Sequence, residues 1–416
     1  MTGLGRGWKR LLGVALGVMT AIGGFVDIGN IVTSGLAGAR FGMSLAWALV
    51  FGTIGMGLYG EMAGRVVAVT QRATFNLVRE RLGVRAGLVN LAAALLLTGL
   101  TMAAEIGGAG ITLQLGSGIS YVIWVPVVGL ATWLVIWRVP FGVMERVLGL
   151  LGLALVVFVV ALFALPVPWQ ELLSQAAQPA VPPDEGLATW LFFAISLIGS
   201  AVVPYQVVFF SSGGVEEGWR RRDLGEMRLN VFVGFPLGMV LSLAIMACAV
   251  PVLQPRGVDV QRLEQVGLPV VAALGRVGLL VMLLGFFAAT FAAAAECALS
   301  LGYSAAQYFG WTWGKFRRPA QAPRFHVVML AGIIAATALM LTTIDPVQLT
   351  IVSVVLGAAA IPLTYFPILV VANDRSAMGR YVNGPWANTL GVVFLVVMVV
   401  VSVISIPLLF LTKAGQ

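Results

Sequence analysis

The apolar run at 11–36 is long enough to cross a bilayer, and Asp27 stands in its middle, followed by Ile28, Gly29 and Asn30. A carboxylate near the hydrocarbon midplane is costly and rare, and it usually marks an ion pathway. Gly23, Gly24 and Gly29 weaken the helix here, and Asn30 adds an amide oxygen one residue beyond the last of them. A helix that unwinds at 27–30 exposes backbone carbonyls beside a carboxylate and an amide, a set that suits a hard cation. The alternative is a packing helix whose Asp pairs with a partner elsewhere. A second interruption, Gly199-Ser200-Ala201-Val202-Val203-Pro204-Tyr205-Gln206, lies in a later apolar run. Pro204 removes a backbone donor and opens the preceding turn, freeing the carbonyls near Ser200 and Ala201. By itself this is an ordinary proline kink. Paired with Asp27 in a corresponding helix, it points to a midplane substrate site between two repeats.

The elements that must hold these residues follow from composition. The 416-residue chain is 60% hydrophobic and only 10% charged, with a mean hydropathy of +0.99. Apolar stretches of roughly the 20 residues a spanning helix needs recur along it. Eleven are expected, at about 11–36, 43–68, 86–113, 121–138, 144–168, 187–211, 229–253, 277–309, 325–343, 347–372 and 386–411. The expected fold is therefore an all-α integral membrane protein forming one transport domain. The two breaks fall in the first helix of each of two five-helix halves, 11–168 and 187–372. An acidic, Pro-rich external linker at 169–186 joins them, and an extra helix at 386–411 follows. Five helices per half, an odd number, make the halves invert.

Charge fixes the expected orientation. The net charge of +8 is not a nucleic-acid footprint, because 20 of the 25 basic residues fall on one side once the N-terminus is placed in the cytoplasm. Only Arg40, Arg256, Arg262, Arg276 and Lys413 fall outside. That asymmetry is the positive-inside pattern, and with eleven spans it puts the C-terminus outside. Cys248 and Cys297 lie within apolar helices and read as small buried hydrophobes. His326 reads as interfacial. The basic N-terminal start leads into a long apolar segment without a small-residue cleavage site, so it reads as the first span and not as a signal peptide. No phosphate-binding loop is present and no nucleophile stands with a base, so an enzyme is not expected.

With these residues in place the chain resembles a known family. Asp27-Ile28-Gly29-Asn30, followed by Ser34 to Ala39 and Arg40-Phe41-Gly42, is similar to the first-helix signature of NRAMP-type metal transporters, Asp-Pro-Gly-Asn and then Gly-Ala-x-Phe-Gly. Val203-Pro204-Tyr205-Gln206 occupies the place of their Met-Pro-His-Asn. Arg65 within Ala-Gly-Arg-Val-Val-Ala-Val-Thr resembles the close of their helix 2. Glu105 fits their helix-3 Glu, and Ile361-Pro362 with Pro367 fits the end of helix 10. The resemblance implies a LeuT-like architecture of two inverted repeats and transport of a divalent metal as the substrate, with no resident cofactor.

The departures from the family pattern sharpen that expectation. The family's helix-6 methionine falls on Val203, which cannot ligate, and the accompanying carbonyl falls on Ser200. Thioether sulfur favours transition metals, whereas carboxylate, carbonyl and water suit Mg²⁺, Ca²⁺ and Mn²⁺. Asp27, Asn30, the Ser200 carbonyl and Gln206 form the expected site for a partly hydrated ion, Mg²⁺ by preference and Mn²⁺ as the second choice. The helix-10 Gln falls on Val354, which with Val203 and Tyr205 is expected to line the site. In character this is similar to the NRAMP-related magnesium transporter branch. The proton path is thinned as well, since the helix-6 His is Tyr205 and the helix-3 Asp is Met102. Tyrosine, with an ordinary pKa of about 10, is a poor relay at neutral pH. Glu105 and Glu296 are left as proton-path or gating carboxylates, or as carboxyls kept neutral by burial. Glu61 is expected to pair with Arg65 one helical turn away. Transport weakly or not coupled to protons is expected, from a monomer in the cell membrane. The competing functions are a proton-coupled Mn²⁺ or Fe²⁺ symporter and a LeuT-like carrier of amino acids or other organic solutes.

Overall fold

The computed structural model describes residues 25–258, 260–342 and 344–415, and all regular structure among them is helical. In chain order the main helices are α1 (Ile28–Phe41), α2 (Ala46–Thr70), α3 (Thr74–Ser117), α4 (Tyr121–Arg138), α5 (Phe141–Gly152), α6 (Val157–Ala164), α7 (Leu187–Ala201), α8 (Pro204–Glu216), α9 (Phe235–Val252), α10 (Leu268–Phe309), α11 (Pro323–Leu341), α12 (Pro346–Ala372) and α13 (Pro385–Leu411). Among the described residues, nine helical stretches are long and apolar enough to cross a membrane. They correspond to the last nine of the eleven spans expected from sequence. The span at 11–36 lies partly in residues 1–24, outside the described ones, as does the basic N-terminal start read as leading into it. The span at 43–68 forms as α2, but its glycines, Glu61 and Arg65 leave it less apolar than the other nine.

The molecule exposes apolar side chains, as a bilayer requires, and keeps the polar side chains of its spans within an otherwise apolar core. Val393, Val396, Val400 and Val403 of α13 and Phe163 of α6 are exposed, while Asp27, Asn30, Glu105, Ser200 and Glu296 are buried. Two features shape the interior. The long helices α3 and α10, which pack against each other, each carry one left-handed glycine near the start, Gly83 at φ 83° and Gly275 at φ 60°. Glycine alone adopts that conformation without strain, so each helix bends after its opening turns. The bends fall at matching places in the two halves of the chain, which supports the two-repeat organisation.

Helix α12 runs unbroken through Pro362 and Pro367 to Ala372, so these prolines do not end it. Pro367 cannot donate to the carbonyl four residues earlier, that of Leu363. The Asn90 side-chain amide of α3 donates to that carbonyl instead. The linker at 169–186 holds a short helix, Trp169–Ala177, and Gln175 accepts from the Met43 N–H at 3.0 Å. At the opposite end Glu61 pairs with Arg65 at 3.1 Å, as expected, and also with Arg228 at 2.9 Å. His326 lies in the first turn of α11, its ring 3.1 Å from the Arg317 carbonyl. Cys248 and Cys297 are buried and free.

Candidate metal centre

Helix α1 starts at Ile28 because Asp27 caps it. Asp27 is extended, and its Oδ1 accepts from the Asn30 N–H at 2.9 Å. The unwound stretch is consequently only Val26 and Asp27. Gly29 and Asn30, expected within the break, instead belong to the first helical turn, because the cap draws the helix back to Ile28. The opposing break is as the sequence indicated. Helix α7 ends at Ala201, Val202 and Val203 are non-helical, and Pro204 opens α8 at a position where its missing N–H costs nothing.

Asn30 fastens the two breaks together. Its side-chain amide donates to the Phe25 carbonyl at 2.7 Å, to Asp27 Oδ1 at 3.3 Å and to the Ser200 carbonyl at 2.9 Å. On the other side its oxygen accepts from the hydroxyls of Ser200 and Ser242 at 3.5 and 3.4 Å. Thr33 donates to Ser200 Oγ at 3.1 Å. The Ser200 carbonyl, freed as expected by the α7 break, is thus held by Asn30.

The N–H of Ile28, at the positive end of α1, meets a second carboxyl group. It donates to Glu105 of α3 at 3.2 and 3.3 Å to the two oxygens, so two carboxyl groups cap one helix start. Tyr205 donates its hydroxyl to Asp27 Oδ2 at 3.3 Å, and its carbonyl accepts from Ser300 of α10 at 3.1 Å.

Asp27, Glu105, Tyr205, Val203 and Val354 converge on one cavity of about 10 Å³, close to the space of a single water. Asn30, Ser200, Gln206 and Glu296 are buried but lie outside its lining. Of the four expected ligands, Asp27 therefore faces the cavity directly. Asn30 and the Ser200 carbonyl sit behind it, bonded to each other, and Gln206 lies in the first turn of α8. Thr98, Thr101, Thr350 and Ser353 complete the lining. Sequence reasoning missed these four; their signal was hydroxyls at i, i+3 in two apolar helices.

Gly199 allows α12 to close the cavity, since a Cβ there would stand 2.6 Å from the Val354 carbonyl oxygen. Every polar side chain in the lining offers oxygen, with no sulfur or imidazole among them. No ion pair among the described residues includes Asp27, Glu105 or Glu296. Among the described residues, no basic side chain lines the cavity.

Comparison with known proteins finds likenesses in sequence and in fold. The chain is 26% identical over 398 residues to the divalent metal cation transporter MntH of Pectobacterium carotovorum subsp. carotovorum (strain PC1), covering 94% of this chain and 92% of that protein. Its structure resembles that of the Eremococcus coleocola manganese transporter solved with an aromatic bis-isothiourea substituted compound, with a TM-score of 0.76 and 22% identity over 96% of this chain and 87% of that one. It also resembles MHP1, a nucleobase-cation-symport-1 family transporter, with a TM-score of 0.62 and 15% identity over 96% of this chain and 92% of that one. These likenesses place the fold among Nramp and LeuT-fold transporters. The chain belongs to the Nramp family, whose model, described as natural resistance-associated macrophage protein-like, matches residues 17–407.

Proposed function

We propose that this protein carries divalent metal cations across the cell membrane by alternating access, with Mg²⁺ favoured over Mn²⁺ and with weak or no coupling to protons. It is a carrier and not an enzyme, with its N-terminus cytoplasmic and its C-terminus external, as the distribution of basic residues indicates. The family and the named functions of the relatives support divalent metal transport. The observation that supports the Mg²⁺ reading is the oxygen-only lining around Asp27, in which Val203 offers no donor. Hard oxygen donors suit Mg²⁺ and Mn²⁺ alike, so without a soft donor Mn²⁺ loses its advantage and the more abundant Mg²⁺ is carried by preference.

The cavity has no room for a hydrated ion in this conformation. Binding requires α3 and α12 to part from the broken helices, and Asn30 to exchange the Ser200 carbonyl for the ion. Such a gated exchange is how alternating access exposes a midplane site to one side at a time. Weak coupling is supported by Tyr205, whose hydroxyl is engaged with Asp27, and by Met102, which is fully buried in apolar contact. Mn²⁺ remains the competing substrate because both named metal-transporting relatives handle divalent metals and one is a manganese transporter.

The test is uptake into proteoliposomes carrying a metal dye and a pH dye. Mg²⁺ flux without matching internal acidification is expected, with Mn²⁺ at equal concentration competing no better than Mg²⁺ itself. Acidification that tracks metal entry would overturn the uncoupled mechanism, and exclusion of Mg²⁺ alongside brisk Mn²⁺ flux would overturn the preference.

A further inference from the structure

We infer that Glu105 supplies the second negative charge of the cation site, facing the ion across the same cavity as Asp27, and that this pair makes the site select a divalent over a monovalent cation. The inference deepens the divalent-transport function proposed above and rests on it.

Charge balance leads to it. A +2 ion beside Asp27 alone would leave a net positive charge in a buried site, and an uncompensated buried ion costs several kcal/mol. Among the described residues, no basic side chain lines the cavity, and the only other carboxylate in the lining is Glu105. Glu296 is buried nearby but lies outside the lining, so it cannot take that place without a rearrangement.

The geometry leaves Glu105 available. Among the described residues its hydrogen-bond donor is the Ile28 N–H, shared between both oxygens at 3.2 and 3.3 Å. A carboxylate has about four lone-pair directions, so most of its accepting capacity stays open towards the cavity. The same N–H fixes its distance from Asp27, since Ile28 follows Asp27 in the chain. Thr101 and Thr98 lie one and two turns before Glu105 on α3 and line the cavity with it. Their hydroxyls suit the waters that Mg²⁺ retains when held by one or two carboxylates. A monovalent ion or a solute amine at this pair would leave one negative charge unbalanced, so the pair discriminates by charge and not by size.

The experiment measures Mg²⁺ binding calorimetrically to the full chain in nanodiscs, for the native protein, Glu105→Gln, Glu105→Asp and Asp27→Ala. Glu105→Gln should raise the Kd for Mg²⁺ at least tenfold, and Glu105→Asp, which keeps the charge, should recover most of that loss. An unchanged Kd in Glu105→Gln overturns the inference and reduces Glu105 to a helix cap. Native protein that binds no divalent ion, or Asp27→Ala that binds normally, overturns the proposed function instead. Should Glu105→Gln fail to fold, carbodiimide labelling of Glu105 in the native protein decides the matter. Mg²⁺ should slow labelling several-fold relative to Na⁺ at equal ionic strength, and equal rates overturn the inference.

Discussion

The two faces of α3 have opposite characters. One carries Thr98, Thr101 and Glu105 into the cavity beside Asp27. The other carries Leu95, Gly99 and Met102 towards α11, where an apolar groove of about 350 Å³ opens along Leu95, Gly99 and Gly332. A Cβ on Gly332 would sit 3.3 Å from the Met102 thioether methyl. The first face has oxygens for an ion and its waters. The second has no group that could hold a proton at any pH. One helix thus presents an ion surface and an inert packing surface about a third of a turn apart, so any titratable group that α3 brings to the site lies on the first face.

The largest effect expected on the polar face is that of Asp27→Ala, which should bring metal flux to background in protein that still inserts and folds. The cap it removes is worth about 1 kcal/mol of stability, which a domain of this size tolerates. Normal uptake in that variant would erase the distinction between the two faces.

Paired glycine substitutions probe packing around the cavity and on the inert face. Gly199→Ala would press a methyl to 2.6 Å from the Val354 carbonyl oxygen and 3.0 Å from Ala358 Cβ. Overpacking of that kind costs about 1–3 kcal/mol, so the unfolding temperature and flux should both drop. Gly99→Ala meets nothing within 4 Å and should leave both unchanged or raise stability by up to about 1 kcal/mol through helix propensity. A reversal of that order, read by thermal unfolding in detergent, would show that the groove face is the tighter one.

Selectivity comes next in size. Val203→Met should shift the Mn²⁺ to Mg²⁺ preference towards Mn²⁺ about tenfold, equivalent to 1.4 kcal/mol, by adding a soft donor to an oxygen lining. Competition uptake reads it directly, and an unaltered ratio would mean that residue 203 does not face the ion. Smaller still, Thr101→Val removes a hydroxyl without changing shape and should weaken Mg²⁺ affinity by about 1 kcal/mol, the worth of one hydrogen bond. Its control on the opposite face, Met102→Leu, keeps volume and should leave flux as it was.

How much of this was legible in the sequence differs from residue to residue. Asp27 and Glu105 could be read directly, because a carboxylate within an apolar span is conspicuous wherever it points. Glu61 with Arg65 could be read from their spacing. Thr98, Thr101, Thr350 and Ser353 could not. A hydroxyl in an apolar helix commonly bonds back to a carbonyl of its own preceding turn, as Thr350 does to Pro346 at 2.7 Å, so its presence says nothing about a site. The extent of the first break was also overestimated, because Gly29 and Asn30 look like breakers until the Asp27 cap is seen to hold them in the helix.

The sequence by itself determined that this chain lives in a bilayer, that two of its helices break, and that carboxylates lie inside, because hydropathy, proline and charge act through local energetics. The tertiary structure alone decided that Asn30 ties the Ser200 carbonyl to the other break, that Glu105 meets the first N–H of α1, and that Gln206 and Glu296 stand outside the cavity. Those outcomes depend on how helices far apart in the chain rotate about their axes when packed, and a rotation is fixed by the sum of close contacts across the bundle and not by any one segment.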